Sequence, residues 1–364
     1  MTISKFLKYP ALLSLSLVLI LSCNDRERLF TPEFNSGLVI DSKSWSADYL
    51  GDEWVKRHII LAEDFDGVPV ATIIKKANTN PGDTAVLYIH GFSDYFFQTS
   101  LADSLEKERL KFYALDLRRY GRSKLPFQIW NEVRKLDDYF EEIDSAVNII
   151  QSEGYQKIIL MAHSTGGLTA SLYAEEKGAD VPFISMILNS PFFDFNVGGV
   201  AESAGIPVIS AIGAILPKTV VNRHVSPVNC MSLHKDYHGE WTFDTIMKPI
   251  QSPMVTASWI RAIHKGQQKL QKGIEISCPV LVMSSSVGTK GDKFEEIHKR
   301  SDTVLDPLEI RSFTKSISGD VTEVIFDGGL HDLVLSEKPV RDKVYEVMRS
   351  FIHKKRGSSY GEPL

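Results

Sequence analysis

The sequence holds only three cysteines, Cys23, Cys230 and Cys278, among its 364 residues. So few cysteines exclude a fold stabilised by a dense set of disulfides, because such scaffolds pair many cysteines within a short chain. Cys230 and Cys278 could pair in an oxidising compartment, and two buried free thiols are the simpler alternative. The sequence alone leaves both arrangements open.

The chain also lacks the features of a nucleic-acid or metal-binding protein. Its formal net charge at pH 7 is −5, which gives no reason to expect a nucleic-acid partner. It contains no internal repeat, no long low-complexity tract, no ligand spacing of a metal site and no glycine-rich phosphate loop. We therefore expect neither a metal nor an organic cofactor. The remaining composition, 43% hydrophobic and 24% charged, is typical of a globular domain.

The N-terminus has an apolar run, Ala11 to Leu21, that is short for a membrane-spanning helix. Lys5 and Lys8 precede it, and a basic start before a short apolar run is typical of a secretory signal. Ser22-Cys23 resembles a bacterial lipobox, which implies that Cys23 is lipidated and becomes the mature N-terminus. We expect residues 1–22 to be a signal peptide, 23–52 a polar tether, and the protein to be anchored to a membrane of the bacterial cell envelope. An uncleaved anchor and an ordinary signal peptide are the alternatives.

Beyond the tether, predicted strands alternate with predicted helices. Two β-rich runs, Val55–Leu61 and Val68–Lys75, flank the turn sequence E-D-F-D-G and predict a hairpin. Later apolar runs are followed by amphipathic segments such as Leu136–Ser152, where apolar side chains recur on one helical face. Strands joined by helices through short links pair in parallel and are covered on both faces. The sequence therefore predicts an α/β domain.

The most informative stretch runs from Lys157 to Leu172. A short apolar strand leads to Ser164, and Gly166-Gly167 opens a helix of small residues. A serine between a strand and such a helix is typical of a nucleophile elbow, whose tight turn projects the serine beyond the sheet. Ala162 stands where the motif usually has its first glycine. An ordinary strand-to-helix turn could contain the same residues, so the motif needs support from elsewhere in the chain.

Three other stretches supply that support in the required order. They are His90–Phe92 after a strand, D-L-R-R-Y-G-R-S from Asp116, and G-G-L-H-D ending at Asp332. With A-H-S-T-G-G they resemble the α/β-hydrolase superfamily, most closely its monoglyceride lipases, lysophospholipases and serine-aminopeptidase-like hydrolases. From about Val55 onward, the resemblance implies an α/β-hydrolase fold: a mostly parallel eight-stranded sheet, helices on both faces and an inserted helical lid.

The same resemblance implies roles for individual residues. Ser164 matches the nucleophile, and His331, in the glycine-rich loop after the last strand, matches the general base. The backbone N–H groups of Phe92 and Thr165 match the oxyanion hole, where the dipole of the helix that follows Ser164 favours negative charge. Such chemistry needs no cofactor.

The acid of this set is ambiguous in the sequence. Asp292, Asp302 and Asp306 all follow the seventh predicted strand within one long segment. The stretch S-D-T-V-L-D resembles the acid motif of the family, so we assign Asp302 and keep Asp292 and Asp306 as alternatives.

The alternation of strands and helices stops between Phe192 and about Gly273. This fold usually inserts a lid at that point. We therefore expect a core formed by 53–192 and 274–364, interrupted by a lid at 193–273. The apolar side chains of the lid would either line an acyl pocket or pack the lid onto the core.

Three functions are compatible with these features. The first is hydrolysis of carboxylic esters, of monoacylglycerol or lysophospholipid type, through an acyl-enzyme on Ser164. A serine aminopeptidase-like peptidase would additionally need acidic groups to bind a substrate amine, and the candidates in the lid are Glu202, Asp236, Glu240 and Asp244. The third is a catalytically silent, lipid-anchored binding protein. The expected partners are a small ester or lipid and a membrane; the oligomeric state stays open.

Overall fold

The computed structural model describes residues 40, 42–78, 82–198, 204–222 and 225–356. The predicted signal peptide, Cys23 and the first part of the predicted tether lie outside these residues. No helix in the described part of the chain is both long and apolar enough to cross a membrane.

Strands and helices alternate through most of the described chain. The strands are β1 (Ser46–Ala47), β2 (Trp54–Ile60), β3 (Val70–Lys76), β4 (Thr84–Ile89), β5 (Leu110–Asp116), β6 (Lys157–His163), β7 (Phe183–Asn189), β8 (Val220–Asn222), β9 (Val255–Thr256), β10 (Ile274–Glu275), β11 (Val280–Ser285), β12 (Ile317–Ser318) and β13 (Val321–Phe326). The helices are α1 (Thr99–Glu106), α2 (Phe140–Ser152), α3 (Thr165–Lys177), α4 (Ile206–Ile215), α5 (Val228–Leu233), α6 (Ala257–Gln271), α7 (Pro307–Thr314) and α8 (Lys338–Arg356).

Among the described residues, nine strands form one sheet in the order β1-β2-β3-β5-β4-β6-β7-β11-β13. Neighbouring strands from β5 to β13 in this order pair in parallel. At the other edge, β1 pairs antiparallel with β2, β2 with β3, and β3 with β5. This is the mostly parallel sheet of the α/β-hydrolase fold. Because the carboxyl ends of parallel strands meet at one edge, the loops after β4, β6, β11 and β13 can contribute to one site.

The two-residue strand β1 is an addition to the eight predicted strands, and it lies within the predicted tether. Ser46 and Ala47 pair with Lys56 and Val55 of β2. The adjoining Asp48 is buried, and its Oδ2 lies 2.7 Å from Nε of the buried Arg122. A buried guanidinium needs a carboxylate partner, so the end of this polar stretch belongs to the folded domain.

Alternate residues of the central strands build two apolar layers. In β4, Leu87 and Ile89 join one buried cluster with Ile143 of α2, whereas Val86 and Tyr88 join the opposite cluster. That opposite cluster includes Leu101 of α1 and Val344 of α8. Burial on both faces explains why the central strands are nearly continuous apolar runs instead of alternating patterns. Cys230 and Cys278 are buried free thiols, and burial raises the pKa of Cys278 to about 11.

The segment between β7 and β10 interrupts the alternation and carries α4, α5 and α6. Helix α6 lies against the core so closely that a Cβ on Gly266 would come within 2.6 Å of Leu136 Cδ1 and 3.0 Å of Leu172 Cδ1. Its N-terminus is fixed by the buried Glu132, which accepts hydrogen bonds from the hydroxyl groups of Thr256 and Ser258, both at 2.5 Å. The inserted segment is therefore attached to the core through α6.

Candidate active site

Ser164 occupies a strained turn between β6 and α3. Its backbone has φ 53° and ψ −119°, and residues other than glycine rarely adopt such a positive φ. A Cβ on Gly166 would lie 2.3 Å from the carbonyl oxygen of His90, and a Cβ on Gly91 would lie 2.9 Å from Ser164 Cβ. The turn therefore requires glycine at both positions. Ala162 is fully buried in β6, where the sheet accommodates its methyl group.

The side chain of His331 lies between Ser164 and Asp302. Its Nε2 is 3.0 Å from Ser164 Oγ, and its Nδ1 is 2.9 Å from Asp302 Oδ2. The other carboxylate oxygen of Asp302 accepts the N–H groups of Val304 and Leu305, both at 2.8 Å. The carboxylate is thus fixed, and a proton on Nδ1 leaves Nε2 free to accept the serine proton.

The two alternative acids lie elsewhere. Asp306 caps α7, where its Oδ1 accepts the N–H of Leu308 at 2.9 Å, and Asp292 is exposed. The long segment after β11 returns to the sheet, because Asp302 N–H donates to Val287 O at 2.9 Å and Thr289 N–H donates to Asp302 O at 2.8 Å. These hydrogen bonds close the loop at its base, so its length does not move Asp302 away from the sheet edge.

Phe92 and Thr165 both adjoin residues of the elbow: Phe92 follows Gly91, where a Cβ would lie 2.9 Å from Ser164 Cβ, and Thr165 follows Ser164 directly. Neither backbone N–H group donates a hydrogen bond to another residue in the described ranges. Thr165 is the first residue of α3, where the helix dipole favours negative charge. Both donors are therefore available to an oxyanion beside Ser164.

The loop that carries Phe92 is held by buried polar side chains. His90 Nε2 accepts the N–H of Leu117 at 3.1 Å, while Nδ1 donates to Gly91 O at 2.8 Å. Burial lowers the pKa of His90, consistent with a neutral ring that fixes backbone. The carboxylate of Asp116 accepts hydrogen bonds from the backbone N–H of Phe96 at 2.9 Å and from Nη1 of Arg122 at 2.8 Å. The D-L-R-R-Y-G-R-S motif thus stabilises the loop through a hydrogen bond to its first residue, Asp116.

A buried ionic cluster that the sequence did not predict adjoins His331. Oxygens of Asp94 and Asp332 and a ring nitrogen of His163 all lie within 4.8 Å of one another. Lys248 Nζ donates to Asp94 Oδ1 at 2.8 Å and supplies a cation there. Asp332 accepts the side-chain amides of Asn189 at 2.7 Å and Gln98 at 3.1 Å. Asp332 was visible in the sequence as the neighbour of His331, whereas Lys248 lies in the irregular insertion and gave no signal.

The electrostatics of the cluster favour an ionised pair next to neutral histidine. Burial alone would raise the pKa of Asp94, but Lys248 brings it below its ordinary value. Burial alone would lower the pKa of Lys248, but Asp94 raises it to about 12. Burial lowers the pKa of His163, whose Nδ1 donates to Asn189 O at 3.1 Å. The His163 ring lies 4.8 Å from that of His331.

Aromatic side chains form an apolar wall beside the serine. The ring centroid of Trp259, in α6, lies 4.6 Å from that of Phe92 and 6.4 Å from that of Phe192. Phe192 also donates its backbone N–H to Ser164 O at 2.9 Å. The wall thus includes the loop that carries Phe92 and is bonded to the turn at Ser164.

Comparison with solved structures shows the same fold in two lipases. Monoacylglycerol lipase of Paleococcus ferrophilus superposes with a TM-score of 0.59 at 17% identity, covering 76% of this chain and 96% of the lipase. A soluble variant of monoglyceride lipase from Saccharomyces cerevisiae, in complex with a substrate analog, gives 0.60 at 16% identity, covering 82% and 94%.

Sequence comparison finds a short similarity and a long one. Mouse (Mus musculus) epoxide hydrolase 4 is 34% identical over 93 residues, which are 26% of this chain and 24% of that protein. The chain thus matches about a quarter of the length of this curated relative. The family model described as serine aminopeptidase, S33, matches residues 80–339, well over half of the chain. The protein therefore belongs to the serine aminopeptidase S33 family of α/β hydrolases.

Proposed function

We propose that this protein hydrolyses carboxylic esters of lipid-like substrates through an acyl-enzyme on Ser164. The observation that carries the proposal is the continuous path Ser164 Oγ, His331 and Asp302, with separations of 3.0 and 2.9 Å. A serine hydroxyl is a weak nucleophile at neutral pH, and an imidazole within hydrogen-bond distance activates it.

The reaction proceeds in two halves. His331 Nε2 takes the hydroxyl proton as Ser164 Oγ attacks the ester carbonyl, and Asp302 stabilises the resulting imidazolium. The N–H groups of Phe92 and Thr165 stabilise the tetrahedral oxyanion. His331 then donates the proton to the leaving alcohol, which departs and leaves the acyl-enzyme. In the second half His331 activates a water, which releases the acid and restores the serine.

Two apolar surfaces favour a lipid-like substrate. The first is the wall of Phe92, Phe192 and Trp259 beside Ser164, which suits an acyl chain. The second is a solvent-exposed apolar stripe on α4 and its C-cap residue. The most exposed side chain of the stripe is Ile215, at 80%. The large apolar residues of the stripe are Val208, Ile212, Ile215 and Leu216. Their spacing places them on one face of the helix. Two lipases with the same fold act on monoacylglycerols, as their names state, which agrees with this choice.

The peptidase alternative depends on free carboxylates near the site. Glu240 Oε1 is paired with Arg341 Nη1 at 2.6 Å, and Asp244 Oδ1 accepts the N–H of Ile246 at 2.7 Å. Asp236 is exposed, with its carboxylate 3.7 Å from His234 Nδ1, and Glu202 lies outside the described residues. The arrangement of the three described carboxylates therefore favours an ester over a peptide substrate.

We further propose that lipidated Cys23 anchors the enzyme to a membrane of the bacterial cell envelope. The basic start, the short apolar run and Ser22-Cys23 support this localisation. An enzyme held there would meet ester lipids at the surface of the bilayer.

A fluorophosphonate probe combined with an ester panel tests the function. We expect the probe to modify Ser164, as located by peptide mass spectrometry, and p-nitrophenyl and monoacylglycerol esters to be hydrolysed faster than aminoacyl anilides. Faster cleavage of the anilides would favour the peptidase. A wild-type protein that neither reacts with the probe nor cleaves either class would be the silent binding protein.

A further inference from the structure

Lys248 is a buried cation whose ion pair joins the inserted segment to the loop after β4 that carries Phe92 and Asp94, called here the oxyanion loop. Its side chain is 6% exposed and that of its partner Asp94 is 2% exposed, and the N···O separation is 2.8 Å. Asp94 follows Phe92 by two residues. An ion pair removed from water is strongly destabilised when one partner is lost, because the other charge remains buried and uncompensated.

Asp332, adjacent to His331, belongs to the same electrostatic group. Lys248 interacts through space with Asp94 and Asp332, whereas the contacts of Asp332 at hydrogen-bond distance come from neutral amides. Within the described chain, Lys248 is therefore the cation that faces both carboxylates. Asp94 lies on the oxyanion loop, and Asp332 lies on the loop after β13 that carries His331, called here the histidine loop. One side chain, that of Lys248, therefore acts on both loops.

Other contacts attach the same stretch of the insertion to the same two loops. The N–H of Asp244 donates to Tyr95 Oη at 2.7 Å, next to Asp94. Trp241 Nε1 donates to Leu335 O at 2.7 Å, in the loop that begins at His331. Residues 241–248 thus bridge the oxyanion loop and the histidine loop, with Lys248 as the buried charge of the bridge.

We propose that Lys248 is a positioning residue for ester hydrolysis, whose ammonium holds the oxyanion loop through Asp94 and neutralises the buried carboxylates behind His331. The inference rests on the proposed function. It assigns the inserted segment a part in building the catalytic geometry, in addition to any role as a cover for the substrate. Lys248 itself touches neither the nucleophile nor the base.

The pH dependence of the reaction gives a readout that loss of packing alone would not change. In Lys248→Met, two carboxylates remain without their cation, and uncompensated negative charge raises the pKa of a nearby imidazole. His331 must be neutral to accept the serine proton, so the acidic limb of kcat moves to higher pH. The ionisable side chains next to the His331 ring are Asp302, 2.9 Å from Nδ1, and His163, whose ring centroid lies 4.8 Å away. His163 in turn faces Asp332, Asp94 and Lys248.

The experiment compares four variants with the wild-type protein: Lys248→Met, Lys248→Arg, the double variant Lys248→Met/Asp94→Asn, and Lys235→Met as a control at an exposed lysine of the same segment. The readouts are kcat, KM and their pH profiles on a short soluble p-nitrophenyl ester, the rate of fluorophosphonate labelling, and thermal unfolding. We expect Lys248→Met to lower kcat by roughly ten- to a hundredfold with little change in KM, because the displaced N–H of Phe92 acts in the transition state.

The other variants separate charge from shape. Lys248→Arg should keep the wild-type pH profile. The double variant should move the acidic limb part of the way back while kcat stays low, because the contact with the oxyanion loop is lost and only Asp332 is left without its cation. Lys235→Met should match the wild type. If Lys248→Met does not fold, the double variant decides, since full kcat in it would overturn the proposal.

Three further results would count against the inference. A Lys248→Met enzyme with wild-type kcat and pH profile would remove it and leave the proposed function standing. An equal loss in all three Lys248 variants without any change in pH profile would reduce Lys248 to a structural residue. A wild-type protein that neither labels nor hydrolyses would instead refute the proposed function, and this inference with it.

Discussion

His331 Nε2 lies 3.0 Å from Ser164 Oγ, although the two residues are 167 positions apart in the chain. The strands that precede them, β6 and β13, run in the same direction in one sheet, with β7 and β11 between them. Parallel strands end at the same edge, and their loops converge there. The hydrogen-bond distance is thus produced by the sheet topology together with the strained turn at Ser164.

Replacing Ser164 with alanine should abolish ester hydrolysis and leave the fold intact. The substitution removes one hydroxyl group, so packing changes little, but the covalent step has no nucleophile. The measurement is the turnover of a p-nitrophenyl ester beside a circular dichroism melting curve. Wild-type turnover by a folded Ser164→Ala protein would refute the acyl-enzyme mechanism.

Asp302→Asn should lower kcat by about four orders of magnitude, because the amide no longer fixes the imidazole tautomer. Asp306→Asn and Asp292→Asn are matched controls from the same segment. Asp306 serves as a helix cap, and asparagine caps a helix about as well as aspartate, so both controls should keep kcat and stability close to those of the wild type. A comparable fall in kcat in either control, with Asp302→Asn active, would identify a different acid.

Gly166→Ala should destabilise the protein by about 1–3 kcal/mol, because the new Cβ would lie 2.3 Å from His90 O and must displace it. Movement of His90 would also disturb the loop that carries Phe92, so activity should fall. Gly205→Ala is the control, since no atom lies within 4 Å of its added Cβ. Urea unfolding measures both variants; equal stability of the two would contradict the close approach of backbone at the elbow.

The double variant Ile212→Ser/Ile215→Ser should reduce turnover of monoacylglycerol in vesicles more than turnover of a soluble ester. These side chains are 37% and 80% exposed on α4, so their polar replacement costs little folding stability but weakens contact with a lipid surface. Leu308→Ser, at a 64% exposed leucine of α7, is the control. An equal effect on both substrates would show that α4 has no special role at a lipid surface.

Cys23→Ser should release the enzyme from membranes and preserve its activity on a short soluble ester. Each buried methylene of an attached acyl chain contributes about 0.8 kcal/mol to membrane binding, and the serine variant cannot receive such chains. Membrane fractionation with labelled palmitate measures the effect. Uptake of no label by the wild type, or a variant that stays membrane-bound, would speak against the lipoprotein assignment.

Much of the fold could be predicted from the sequence because its signals are local. The apolar run before Ser164 and the glycines after it specify strand, turn and helix within a few residues, since the tight turn tolerates no larger side chains at Gly166. The strand β1 was missed because two residues carry no detectable pattern. Its pairing depends on the burial of Asp48 against Arg122, which lies far along the chain.

The sequence by itself determined the residue types at the site and their order along the chain. Hydrolysis of this kind needs a nucleophile, an acid and a base, and each follows the carboxyl end of a different strand. The sequence left the choice among Asp292, Asp302 and Asp306 to a motif resemblance. Only the tertiary structure shows which carboxylate reaches His331, because hydrogen bonds at the base of the loop, between Asp302, Val287 and Thr289, fix that position. Only the tertiary structure brings Lys248 to Asp94, since a buried ion pair between an irregular insertion and a distant loop depends on packing that no local pattern encodes.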